Sequence, residues 1–144
     1  MPIRGSTSDL LVDTSVAVAL MVTDHEDHER TFQALSGYRL GLAGHAAFET
    51  FSVLTRLPPP ARRTPAVIAR MLEVNFPGSR FLSAQAAEAL LARLSDQGIA
   101  GGSVYDALVA AVAAEYEMTL VTRDRRALDT YRSFDIDFEV VSSG

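Results

Sequence analysis

The sequence contains no cysteine, no tryptophan and no lysine. Lack of cysteine excludes disulfides and thiolate metal sites, and is compatible with the cytoplasmic location expected here. Lack of lysine excludes every mechanism that needs an amine. A signalling receiver domain, whose phosphoryl chemistry requires a lysine beside an acidic pocket, falls on that ground. Long apolar runs are missing as well. The longest, Ala107 to Ala114, is far short of the ~20 residues that span a membrane. The start of the chain has no basic region followed by an apolar stretch, so no secretory signal is read. Excess positive charge is absent, with net charge −5 and pI about 5.1. A protein that coats nucleic acid through bulk charge is therefore excluded.

What is present is an ordinary globular composition, 48% apolar and 22% charged over 144 residues, expected to form a single domain. All thirteen basic residues are arginine, the side chain suited to bidentate phosphate contacts. Met1 to Ser8 is polar and expected to fray. Leu10-Leu11-Val12 reads as a buried strand ended by Asp13, with Thr14 or Ser15 capping a helix to about Met21. Asp24 reads as the cap of a second helix carrying Phe32 and Leu35. Leu40 to Leu42 reads as a short strand, and His45 to Leu54 as a helix stopped by Pro58-Pro59-Pro60. Thr64-Pro65 opens a helix to about Asn75. A strand over Arg80 to Leu82 and a helix over Ala84 to Leu94, capped by Ser83, come next. After the glycines of Gly98 to Gly102, a helix runs from Val104 to about Glu115, apolar on every side and hence expected inside a core. Thr119 to Thr122 and Phe138 to Val141 read as strands around a short basic helix, Asp124 to Tyr131. Alternating strands and helices predict an α/β domain with a mainly parallel sheet, whose ligands bind at the carboxyl ends of its strands.

Asp13 and Asp124 both fall at that edge. Each carboxylate also has a structural reading. Asp13 and Asp124 stand where helix caps stand. Ser103 and Asp106 have the spacing of a capping box. Glu49, in mid-helix, cannot cap and would otherwise lie on a solvated stripe. Together they shift the balance, because clustered carboxylates repel unless cations neutralise them. Oxygen-only ligands favour Mg²⁺ or Mn²⁺ over Zn²⁺, and carboxylate-held ions of that kind can activate water against a phosphodiester. The expectation is that these oxygens converge within one ion's reach. His25 and His28, at helical spacing, are read as an exposed first turn, and His45 is given no catalytic role.

Asp13-Thr14-Ser15 after a strand, Glu49 in a helix, Tyr105-Asp106-Ala107 opening an apolar helix, and Thr122-Arg123-Asp124 after a strand resemble the PIN domain. The nearest resemblance is to its VapC-type branch, the toxins of bacterial VapBC toxin–antitoxin pairs, and it extends from Leu10 to about Val141. It implies a three-layer α/β/α sandwich with a sheet of four or five strands, and an endoribonuclease using one or two Mg²⁺ or Mn²⁺ ions. It carries over Asp13, Glu49, Asp106 and Asp124 as the acidic metal-binding set, with Asp129 in reserve for Asp124. Thr14, Ser15 and Thr122 become polar supports. RNA, a VapB-type antitoxin and a second copy of the chain become the implied partners. Arg123, Arg125 and Arg126, beside Asp124, are candidate contacts to RNA phosphates. The competing expectation is a PIN-like interaction module that keeps the carboxylates but works by binding a protein. Phosphatases with a nucleophilic aspartate carry a second aspartate two residues on, where this chain has Ser15, and no glycine-rich phosphate loop is present.

Overall fold

The computed structural model describes residues 9–142, so the expectation for Met1 to Ser8 lies outside the described residues. Four parallel strands form one sheet in the order β2-β1-β3-β4: β1 (Asp9–Val12), β2 (Arg39–Leu42), β3 (Leu120–Thr122) and β4 (Phe138–Val140). Seven α-helices connect them: α1 (Thr14–Met21), α2 (His28–Leu35), α3 (His45–Thr55), α4 (Pro65–Asn75), α5 (Ala84–Gln97), α6 (Ser103–Tyr116) and α7 (Leu128–Ser133). The expected three-layer architecture is the one observed. Successive strand residues point to opposite faces, so Leu11 and Leu120 enter one core while Leu10, Val12 and Val121 enter the other. The first core packs under α5, α6 and α7, and the second under α1, α2 and α4.

Local chemistry sets most boundaries. Thr64 accepts from Val67 N ahead of Pro65, and Ser83 accepts from Ala86 N, so α4 and α5 start where their caps predict. Three expectations are corrected. Asp13, rather than Thr14 or Ser15, caps α1, because its side chain accepts from Val16 N. The second helix starts at His28, beyond the turn containing Asp24. The region of Arg80 forms only a single parallel bridge, Arg80 to Ala43, and no strand over Arg80 to Leu82.

That bridge has a clear cause. Gly78 N donates to Leu40 O, Arg80 N to Leu42 O, and Leu42 N to Ser79 Oγ, so the Phe76–Arg80 turn runs along the open edge of β2. The approach needs Gly41, where a Cβ would sit 2.1 Å from the Gly78 carbonyl oxygen. Gly44, at φ 52°, then swings the chain from β2 into α3. The helix α6 lies in the first core through Ala107, Val109, Ala110, Val112 and Ala113. Its apolar surroundings are incomplete: Tyr105, Ala114 and Tyr116 face solvent. Among the described residues, no helix is long and apolar enough to cross a membrane.

Candidate active site

The centre of the site is Asp13, where β1 ends and α1 begins. Its carboxylate is buried, a position that demands partners for both oxygens. Oδ1 accepts from Ser15 Oγ at 2.6 Å and from Val16 N at 3.3 Å. Oδ2 accepts from Tyr131 Oη at 2.9 Å and, at a shorter separation, from Thr122 Oγ1. Burial pushes the carboxyl above its ordinary range, while all four donors pull the other way. Ser15 and Thr122 are thus built into the site as supports. Thr14 is the first residue of α1 and forms no hydrogen bond to Asp13.

Asp106 stands in the first turn of α6, half-buried, with no hydrogen bond or ion pair of its own among the described residues. The capping box with Ser103 does not form: Ser103 is itself helical, and Gly102 occupies the cap position. What surrounds Asp106 is negative charge. Its carboxyl is pushed up to about 6, first by burial and then by the charges of Asp124, Asp13 and Glu49, with Arg126 opposing them. The four carboxylates therefore share one electrostatic neighbourhood, supplied by the β1 and β3 ends and by helices α3 and α6.

They do not meet at a single point. Among the described residues, no three acidic or imidazole groups are gathered closely enough to hold one ion, which corrects the expected convergence. The reason is visible in the partners. Asp13 spends both oxygens on protein donors, Asp124 turns Oδ1 back to Arg126 N and Nε at 3.0 and 3.3 Å, and Glu49 takes His45 Nε2 at 3.0 Å. Asp124 N in turn donates to Thr122 Oγ1, tying the fourth carboxylate to the hydroxyl that holds the first. Asp129 lies apart, fully exposed and paired with Arg132.

The arginines separate into two kinds. Arg125 and Arg126 are exposed beside Asp124. Arg123 is enclosed, its side chain only 12% exposed against the 6% of Asp27, with which it forms a close ion pair. Its Nη1 also reaches Ser15 O at 3.3 Å, and its backbone N donates to Ser15 Oγ at 2.8 Å. Arg123 is therefore a strut of the site and is withdrawn as a candidate phosphate contact.

Sequence reasoning missed Tyr131 and Asp27. The only signal for Tyr131 was an aromatic residue in a short helix with Ala127 one turn before it. Asp27 gave none, since its partner is 96 residues away. His25 and His28 are spoken for locally. His25 Nδ1 accepts from Asp27 N at 3.0 Å, and His28 Nδ1 lies 2.9 Å from Ala19 O.

In chemistry, though not in its present arrangement, the donor set suits a divalent cation: four carboxylates with no sulfur, whose mutual repulsion a cation would relieve. Comparison with known proteins bears on the chain as a whole. The PIN domain family matches residues 10–133. Ribonuclease VapC27 of Mycobacterium tuberculosis is 44% identical over 133 residues, covering 92% of this chain and 97% of the relative. Ribonuclease VapC40 of the same species is 42% identical over 131 residues, covering 90% and 97%. Among solved structures, FitAB bound to the IR36 DNA fragment superimposes with a TM-score of 0.68 at 18% identity, covering 91% of this chain and 94% of that one.

Proposed function

This chain belongs to the PIN-domain family, among its VapC-type ribonuclease toxins, and from that premise we propose that it is a divalent-metal-dependent endoribonuclease restrained by a cognate antitoxin. The observation that carries the reading is the electrostatic state of Asp106, held up near 6 by burial and by three other carboxylates at the ends of β1 and β3 and on α3. Asp13 and Asp124 each cap a helix start, yet their charges still bear on Asp106. Asp106, half-buried, meets that repulsion with Arg126 alone opposing it, a state that a bound cation or a proton would relieve.

Asp13, Glu49, Asp106 and Asp124 are the residues that would hold Mg²⁺ or Mn²⁺. Such an ion supplies an activated water and charge to stabilise the leaving oxygen of a phosphodiester. The chain's own groups do the positioning. Ser15, Val16, Thr122 and Tyr131 fix the Asp13 carboxylate against rotation. Asp106, without a hydrogen-bonding partner among the described residues, is free to turn its oxygens as the site fills. Arg125 and Arg126, exposed beside Asp124 with Arg126 paired to it, would receive backbone phosphates and offset the net charge of −5 where RNA approaches.

For the partner, an open groove between α1 and α2, lined by Leu20, Met21, Phe32, Leu35 and Tyr38, suits an apolar segment of an antitoxin. Its lining includes none of the four carboxylates, so inhibition through this groove alone would act without filling the site.

The test is cleavage of cellular RNA by purified, partner-free protein. Parent protein should cut in Mg²⁺ or Mn²⁺ and stop in excess chelator, while Asp13→Asn and Asp106→Asn should each lose at least about a hundredfold in rate. Chelator-resistant cleavage, or full activity in either variant, would sink the proposal. Saturable metal binding with no cleavage of any RNA would favour the interaction-module reading.

A further inference from the structure

Beyond the carboxylates lies a run of rings that the proposed chemistry does not use. Tyr105, immediately before Asp106, is half exposed and stacks on His45 with centroids 4.8 Å apart and planes inclined by 20°. His45 in turn holds Glu49. Phe48, one turn along α3 from His45, is exposed and meets Phe81 edge-on at 6.0 Å. These rings pack on one another and on His45, yet Phe48, Phe81 and Tyr105 remain largely exposed. The inner pair, unlike Phe48 and Phe81, carries polar edges and lies beside two of the four carboxylates.

We propose that Tyr105, backed by His45, is a stacking subsite for one unpaired nucleobase of the RNA, next to the scissile phosphate. This deepens the ribonuclease reading and rests on it. A nucleotide whose phosphate lies among Asp13, Glu49 and Asp106 must put its own base, or its neighbour's, one ribose away from the cut. Unpaired bases are the ones that protein rings can stack on. Tyr105 precedes Asp106 in the chain, and its ring lies on the imidazole that holds Glu49. His45 makes the platform stiff, because its ring is held both by the stack and by the Glu49 carboxylate. Stacking tolerates any base, so the subsite selects for an unpaired nucleotide and leaves base identity to other contacts.

The experiment uses the RNA fragment that parent protein cuts best from total cellular RNA, with an abasic residue placed in turn at each nucleotide flanking the cut. Parent, Tyr105→Phe and Tyr105→Leu are compared by kcat and KM, with sedimentation of each protein. Tyr105→Phe should match the parent within about twofold. Tyr105→Leu should raise KM by about tenfold or more, with kcat little changed. At one flanking position, loss of the base should cost the parent the same factor and cost Tyr105→Leu nothing further. Three outcomes overturn the subsite: an unchanged KM in Tyr105→Leu, an abasic penalty equal in parent and variant at every position, or a change of oligomeric state in Tyr105→Leu. The last would assign the ring to a second copy of the chain. Failure of the parent to cut any RNA overturns the ribonuclease reading itself and the subsite with it, whereas the other outcomes leave that reading standing.

Discussion

The Asp106 carboxyl, raised from an ordinary value of 3.8 to about 6, makes the folded protein sensitive to pH in a definite direction. Between those values the folded chain binds more protons at this position than the unfolded chain does. Stability without metal should therefore fall as pH rises from about 4 through 6, and level off above. Asp106→Asn removes the penalty. Its thermal midpoint should exceed the parent's at pH 7.5 in chelator, and the difference should vanish near pH 4. A variant less stable than the parent at pH 7.5 would mean that Asp106 is held by contacts rather than opposed by charge. Tyr131 makes the opposite kind of contribution. Tyr131→Phe removes one of four donors to a buried carboxylate, and should cost about 1.5–3 kcal/mol in urea unfolding. Its cleavage rate should drop as well, because Asp13 then rests on Ser15, Val16 and Thr122 alone.

At the scale of elements, the helices with chemically distinct ends were legible. Thr64-Pro65 and Ser83 announce α4 and α5 because their caps are satisfied within three residues. The start of α2 was not. Asp24 reads as its cap, yet the helix begins at His28 with Asp27 in the cap position. The Asp27 side chain is claimed by Arg123, leaving no side-chain cap at His28. The same contact hid the role of Arg123, which sequence proximity had grouped with Arg125 and Arg126. Burial of the pair fixes the expected cost of breaking it. Asp27→Ala or Arg123→Ala strands a buried charge and should destabilise by about 3–5 kcal/mol, whereas Arg125→Ala should stay within about 0.5 kcal/mol. Equal, small losses in all three variants would show that the ion pair is solvated in solution. The edge of β2 offers a second element-level check. Gly41→Ala drives a methyl into the Gly78 carbonyl, and should cost about 1–3 kcal/mol or more through displacement of the Phe76–Arg80 turn. An unchanged midpoint of unfolding would show that the turn yields freely.

For the whole molecule, the parallel sheet and its two cores followed from the alternation of apolar strands with amphipathic helices, information carried by many residues at once. The site was only half legible. Asp13, Glu49, Asp106 and Asp124 were singled out by their places along the chain and by the resemblance, and they share one electrostatic neighbourhood. The network that orients them was legible in part: Ser15 and Thr122 were expected as polar supports and do donate to Asp13, whereas Tyr131 carries no distinctive pattern until the fold brings it to the same carboxylate. One measurement addresses the assembled site. Mg²⁺ or Mn²⁺ at a hundredfold excess over its dissociation constant should stabilise the parent by about 2.7 kcal/mol, several degrees in thermal midpoint. Asp13→Asn should show little of that increment, and an equal rise in both proteins would place the ion elsewhere.

The cradle around Asp13 has a temporal side. Its donors Thr122 and Tyr131 follow it by 109 and 118 residues, and β1, central in the sheet, waits for β3 over a similar span. A growing chain on the ribosome thus carries Asp13 and Glu49 long before it can close their pocket. The final strands and the last helix must emerge first, and a nascent chain is surrounded by RNA throughout. The hydroxyls that hold Asp13 thus reach it only after more than a hundred further residues have been made.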